Sequence, residues 1–272
     1  MRRNEVSIIT TVKNGEKYIE ELLYSVYNQT YKNYEHIIVD DGSTDNTINV
    51  INRFCEKKIN HHIRFIQNDD YGRGKALNNG VKKASGEWVA IVDVDDIWHP
   101  DKIKCQVEVL KKHDIKILCT GSVNFYDIKR IHFQPYVREA IDFVSLKSML
   151  KMNMVCHSSV IIKKDLCIYD ESRKSQYDYE LWLRLLSKGY EIYCDKNVLT
   201  YHRIHGQQSY EAKMGSGYKY RSYLLKSKYA KSVSGYKVMI YNTIKLFYDL
   251  IVPRKVRIRI SEKCGIKKVV LF

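Results

Sequence analysis

An α/β fold built on a doubly wound, mostly parallel sheet is predicted for this 272-residue chain by three observations. Short apolar runs alternate with segments of helical spacing through the first 120 residues. Polar, turn-forming residues close each run, and two acidic clusters follow two of the runs directly. A 44% hydrophobic content supports a sizeable core, and three prolines and thirteen glycines exclude collagen-like or linker-dominated architecture.

Residues 6–11 (VSIITT) predict the first strand, and a polar turn through Asn14 and Gly15 leads into a helix over 16–28 with Ile19, Leu22, Leu23 and Val26 at helical spacing. Residues 34–39 (YEHIIV) predict the second strand. Ser43, Thr44 or Asp45 caps the next helix, which carries Ile48, Val50, Ile51 and Phe54. A third strand over 62–67 precedes the Gly72-Arg73-Gly74 loop and a short helix over 74–84. The fourth strand, 88–92 (WVAIV), delivers Asp93 to Asp96, and Pro100 opens a helix reaching about His113. Residues 116–120 continue the alternation. Beyond them 160–162 predict a strand, 179–187 (YELWLRLLS) a helix with a Leu and Trp face, and 192–201 extended structure. The expected organisation is one domain over 1–210, with halves at 1–120 and 121–210, followed by a basic helical extension at 211–272.

Seven scattered cysteines with no CxxC pair disfavour both a disulfide framework and a thiolate zinc site. The amino terminus lacks the long apolar region and cleavage site of a secretory signal, and no run of about 20 apolar residues reads as a spanning helix. The expected location is cytoplasmic, peripheral on the cytosolic face of a membrane.

The clusters Asp40-Asp41-Gly42-Ser43-Thr44-Asp45 and Asp93-Val94-Asp95-Asp96 both lie at strand carboxyl ends, where open α/β sheets bind ligands. Carboxylates this close repel one another, and a divalent cation or a ring of ligand hydroxyls between them reverses the sign. Taken singly, the first cluster is also ordinary turn and cap chemistry and the second also suits a solvated loop. At two strand ends together they point to a holder of a metal ion and a polyhydroxylated phosphate ester.

The ordered set VSIITTVKNGEKYI, SVYNQTYKNYEHIIVDDGSTD, NDDYGRGKALNNGVKKASGEWVAIVDVDDIWHP and YDYELWLRLL closely resembles the family 2 glycosyltransferases, inverting sugar-nucleotide enzymes of GT-A fold, over residues 6–209. The resemblance implies that Thr11 and Val12 meet the nucleobase, that Asp41 accepts from the uracil N3–H of a UDP-sugar, and that Lys75 lies near the nucleotide phosphates. It implies a DxD motif in which Asp93 faces ribose and metal and Asp95 ligates the metal, Mn²⁺ or Mg²⁺, with Asp96 in support. Asp178 falls at the general base, His205 beside the metal and diphosphate, and His157 near the acceptor. Residues 1–120 are then the nucleotide-sugar half and 121–210 the acceptor-facing half.

The chain departs from the family's usual pattern in having Thr11 and Lys13 where Pro and Tyr are common, and Tyr177-Asp178 where Glu-Asp is common. No QxxRW sequence occurs, which implies a non-processive enzyme that moves one sugar onto a glycan or lipid-linked acceptor in surface polysaccharide or glycoconjugate synthesis. Two other classes are a sugar-nucleotide nucleotidyltransferase, whose Gly-rich amino-terminal loop with Lys and Arg is absent, and a non-catalytic membrane- or glycan-binding module.

Net charge is +15, and the residues after Tyr210 hold fifteen basic against three acidic side chains, a local +12. Residues 236–252 (YKVMIYNTIKLFYDLIV) set Ile240, Ile244, Phe247 and Ile251 on one helical stripe ahead of Pro253-Arg254-Lys255-Val256-Arg257. An amphipathic helix followed by a basic cluster is the composition of an interfacial anchor, so residues 236–268 are expected to meet an anionic membrane surface. No nucleic-acid reader motif accompanies the charge, and no nucleic-acid partner is expected.

Overall fold

The computed structural model describes residues 5–58, 63–133, 141–206, 216–230 and 236–252. Among them the order is β1 (Val6–Val12), α1 (Ile19–Tyr27), β2 (Tyr34–Asp40), α2 (Thr47–Lys58), β3 (Ile63–Gln67), α3 (Arg73–Lys83), β4 (Trp88–Ile91), β5 (Ile97–Trp98), α4 (Lys102–Lys112), β6 (Ile117–Phe125), β7 (Ile141–Val144), α5 (Leu146–Lys151), β8 (Ile161–Lys163), α6 (Tyr177–Ser187), β9 (Ile192–Arg203), α7 (Ser216–Ala230) and α8 (Tyr236–Ile251).

These strands form one sheet in the order β3-β2-β1-β4-β8-β6-β9-β5, with β7 alongside β9. β1, β2, β3 and β4 pair in parallel, and β6 and β9 run the same way. The short strands β8, β5 and β7 are antiparallel to their neighbours. The sheet is therefore mostly parallel, as expected. The inserted β8 falls within one residue of the strand expected at 160–162, whereas β5 and β7, antiparallel strands without a helical crossover, left little periodic signal.

Alternation along the central strands feeds two cores. Ile9, Ile37, Val39, Val89 and Ile91 face one, together with Leu77 of α3, Leu150 of α5, Trp182 of α6 and Leu225 of α7. Val6, Ile8, Ile38, Ala90 and Val92 face the other, with Leu22 of α1, Phe54 of α2 and Val107 of α4. Strands buried on both faces explain why the apolar runs were continuous. Helix α7, past the expected boundary at 210, shares the first core: Tyr229 Oη donates to Glu180 at 2.5 Å and Lys226 Nζ to the Lys151 carbonyl at 2.9 Å. The six cysteines within the described residues are unpaired, and Cys264 lies outside them.

Register decides the function of the upper edge. Val12 pairs with Asp40 and Ile9 with Ile91, so Asp41 and Asp93 leave the sheet on the same edge, on either side of β1. Two strand spacings set them about 10 Å apart. The Asp41 amide donates to the Val12 carbonyl at 2.7 Å and the Val92 amide to the Ile9 carbonyl at 3.1 Å, which fixes both exits against β1.

Candidate active site

At the end of β2 the paired aspartates divide their work. Asp40 accepts from the Gly42 amide at 3.2 Å and the Ser43 amide at 3.1 Å, closing the turn on itself. Asp41 turns the other way: its Oδ1 accepts from Asn68 Nδ2 at 3.1 Å and the Gly72 amide at 2.8 Å, and its Oδ2 has no hydrogen-bond partner among the described residues. Asp45 is the residue that starts α2, accepting from the Thr47 amide at 3.0 Å and from the Thr47 hydroxyl. Asn14 and Ser43 lace this turn to the loop after β1, since the Asn14 amide donates to Ser43 Oγ at 2.9 Å and the Thr44 amide to Asn14 Oδ1 at 2.8 Å. Thr11 is half-buried at the strand end. Val12 is buried and its carbonyl already serves Asp41.

At the end of β4, Asp93 Oδ1 is held by Arg73 at 2.6 Å and by His157 Nδ1 at 3.1 Å. Burial raises the Asp93 pKa, but the guanidinium and the imidazole outweigh it and hold the carboxyl well below its ordinary range. His157 is fixed at its other nitrogen by Tyr169 Oη at 2.9 Å, so this buried ring braces Asp93. Lys75, expected near the phosphates, lies at the surface and pairs with Asp70 at 2.5 Å. Arg73 pairs with Asp93 at the β4 end; the Asp93 charge foremost, and those of Asp178 and Asp95 after it, raise its pKa against burial. A helix that starts at Arg73 points that residue and Lys75 in different directions, about 200° apart at 100° per residue.

Asp96 is a keystone. Its oxygens accept from Ser158 Oγ at 2.5 Å, the Arg203 amide at 3.0 Å and His202 Nδ1 at 3.0 Å, joining the β4 end to the last turn of β9. Arg203 reinforces the joint: its Nε donates to the Asp95 carbonyl at 2.9 Å, it pairs with Glu21, and its guanidinium lies 4.9 Å from the Tyr18 ring centre and 4.5 Å from that of Phe125. This joint delivers His205, whose Nε2 is 2.9 Å from Asp95 Oδ2.

Two donor sets offer themselves to a cation. Atoms of Asp96, Cys156 and His202 lie within 4.8 Å of one another. Yet the Asp96 oxygens are already engaged. Burial would lower the His202 pKa, but Asp96 pushes it up to about 9, which keeps the ring protonated, and burial keeps Cys156 a thiol. The second set is the hydrogen-bonded pair of Asp95 Oδ2 and His205 Nε2. Adjacent ligands around an octahedral ion with bonds of about 2.1 Å sit about 3 Å apart, the spacing these two atoms have. Burial, then Asp96, then Asp93 push the Asp95 pKa up, and the hydrogen bond with His205 offsets them only in part.

Asp178 lies inside the first turn of α6, where the sequence put it just ahead of the helix. The helix begins earlier because Gln176 takes the left-handed conformation, φ 58° and ψ 39°, and turns the chain sharply into it. Asn153 Nδ2 donates to Asp178 Oδ2 at 3.1 Å and orients the carboxylate. The Tyr177 ring packs so close to Gly74 that a methyl there would lie 2.9 Å from Cε1, so the start of α6 abuts the start of α3 and brings Asp178 towards Arg73. The residues that sequence reasoning missed are Arg73 as the Asp93 partner, Asn153, Asp96 as a structural tie, and Arg203. Each acts through a partner 20 to 108 positions away, and no local pattern signals such a pair.

The model of the family described as Glycosyl transferase family 2 matches residues 7–162. An uncharacterized glycosyltransferase of Rickettsia typhi is 34% identical over 214 residues, 75% of this chain and 65% of that protein, so the chain spans slightly less than two thirds of that relative. The Escherichia coli UDP-Glc:alpha-D-GlcNAc-diphosphoundecaprenol beta-1,3-glucosyltransferase WfaP is 31% identical over 244 residues, 89% of this chain and 91% of that protein. The crystal structure of S. aureus TarS 1-349 in complex with UDP-GlcNAc matches with a TM-score of 0.70 at 20% identity, over 93% of this chain and 77% of that one, a likeness of fold. The architecture is GT-A.

Proposed function

Because this chain belongs to glycosyl transferase family 2, we propose that it moves a single sugar from a UDP-sugar, with inversion, to a hydroxyl of a glycan or lipid-linked glycan. The observation that carries this reading is the convergence on one sheet edge: Asp41, Asp93 and Asp95 flank β1, and Asp178 stands within the field of the Arg73 guanidinium that binds Asp93. The name of the similar WfaP, a transferase of glucose from UDP to a diphosphoundecaprenol-linked sugar, supports the donor and acceptor classes.

Each group has a task suited to its surroundings. Asp41 Oδ2, with no hydrogen-bond partner among the described residues, accepts from the base N3–H, and Asp93 accepts from the ribose hydroxyls. Asp95 and His205 would hold a divalent ion, Mn²⁺ or Mg²⁺. When bound, that ion neutralises the charge that grows on the departing diphosphate. Asp178, oriented by Asn153, takes the proton of the acceptor hydroxyl as its oxygen attacks the anomeric carbon from the face opposite the diphosphate. A thermal-shift screen of nucleotide sugars tests the reading. A UDP-sugar at 100 times its dissociation constant, with Mn²⁺, is expected to raise Tm by about 5–10 °C, and to do much less without the ion. Failure of every nucleotide sugar to shift Tm overturns it.

Membrane docking completes the proposal. None of the helices in the described residues is long and apolar enough to cross a membrane. The stripe on α8 is nonetheless open to solvent, with Ile244 64%, Phe247 58% and Ile251 74% exposed, and Tyr220 and Leu224 of α7 are exposed as well. The basic segment 253–268 lies outside the described residues. The protein docks peripherally on the anionic cytosolic surface, with these apolar side chains at the headgroup boundary and each nearby Lys or Arg adding about 1 kcal/mol. Flotation with vesicles containing phosphatidylglycerol should recover the wild type and lose the Ile244→Glu/Phe247→Glu variant. Equal flotation of the two sinks this part.

A further inference from the structure

One aromatic ring at the site takes no part in the roles above. Tyr71 lies in the loop between β3 and α3 and is 62% exposed. The loop is pinned on both sides of it. Asn68 Nδ2 donates to Asp41 Oδ1 at 3.1 Å and to the Asp70 carbonyl at 2.7 Å, and the Gly72 amide donates to the same Asp41 oxygen at 2.8 Å. The ring itself is seated on Gly42, where an added methyl would lie 2.6 Å from Cε1 and 3.1 Å from Cζ. Only a residue without a side chain permits that approach, and Gly42 also needs its φ of +82°. Lys13 Nζ stands 5.7 Å from the ring centre, within cation–π range.

The ring is thus fixed against Gly42 and largely exposed, with Lys13 beside it, next to the carboxylate whose Oδ2 has no hydrogen-bond partner among the described residues. It stands on the β1–β2–β3 side of the cleft, and Asp93 and Asp95 lie across β1. A fixed, exposed aromatic beside a hydrogen-bond acceptor is what a planar heterocycle requires: the acceptor reads its edge and the ring covers its face.

We propose that Tyr71 is the stacking platform for the nucleobase of the donor, an inference that rests on the nucleotide-sugar reading above. Every base has a π-face, so the platform sets affinity for the nucleoside and leaves the choice of base to Asp41. The phosphates meet the other side of the cleft, which separates the two contributions.

Calorimetric titration of the full chain with UDP and with inorganic pyrophosphate, both with Mn²⁺, tests it. Tyr71→Ala should weaken UDP about 5- to 100-fold and change pyrophosphate less than about twofold. Tyr71→Trp should restore UDP binding, and its added fluorescence should be quenched by UDP and not by pyrophosphate. Tyr71→Ala that binds UDP as tightly as wild type overturns the inference alone, as does an equal loss of UDP and pyrophosphate, which would mean that the loop had collapsed. A wild type that binds no nucleoside diphosphate overturns the nucleotide-sugar reading and this inference with it.

Discussion

Asp178→Asn is expected to lower the transfer rate about 10²- to 10⁴-fold while the dissociation constant for the UDP-sugar stays within about twofold. The substitution is nearly isosteric. Asn153 Nδ2, which now donates to Asp178 Oδ2 at 3.1 Å, still meets a carbonyl oxygen, so the first turn of α6 keeps its packing against α3. What disappears is the ability to take a proton. An acceptor hydroxyl gains nucleophilic strength only as its proton leaves, and a carboxamide cannot receive it at neutral pH. The loss therefore falls on the chemical step and spares the ground state. Single-turnover transfer measured beside donor binding separates the two, and an unimpaired rate in this variant would remove Asp178 from the mechanism.

Asp95→Asn carries the second large effect, and it has opposite signs on activity and on stability. The rate should fall about 10²- to 10³-fold, the usual cost of removing an electrostatic group that acts on charge developing in the transition state. Mn²⁺ affinity in the presence of UDP should fall by at least about 10- to 100-fold, since even supporting groups around a metal are worth that much. Metal-free stability should move the other way. Burial and the Asp96 and Asp93 carboxylates raise the Asp95 pKa above its unfolded value, so its contribution to stability is present below the unfolded pKa and is lost as pH rises through the folded one. At neutral pH the charged carboxylate costs stability, and a neutral Asn relieves it. The metal-free variant should thus melt a few degrees higher than wild type. A lower metal-free Tm, or undiminished Mn²⁺ binding, would show that Asp95 is a structural residue and that the ion, if any, sits elsewhere.

Much of the fold was legible because its information is local. Apolar runs such as VSIITT and WVAIV are buried on both faces, helices such as α1 show their stripe in Ile19, Leu22, Leu23 and Val26, and β2 and β4 announce their ends with acidic clusters. The strands that the sequence did not show, β5 and β7, are only two and four residues long, too short for a period to appear. The start of α6 was misjudged by two residues because the left-handed turn at Gln176, a conformation usually left to Gly or Asn, gives no sign in the sequence.

The same contrast runs through the site. Sequence alone placed two acidic clusters at the carboxyl ends of two strands of a mostly parallel sheet, because apolar runs alternating with helical segments imply strands that run the same way. Only the tertiary structure decided which carboxylates are structural and which are available. Asp40 is consumed by its own turn, Asp96 by Ser158, His202 and Arg203, and Asp93 is charged against Arg73 and His157, whereas Asp41 keeps one oxygen open and Asp95 meets His205. Those partners arrive on β9, the 157–159 turn and α3, and a carboxylate's role is set by what donates to it, a property of the folded neighbourhood that no residue carries in its own stretch of chain.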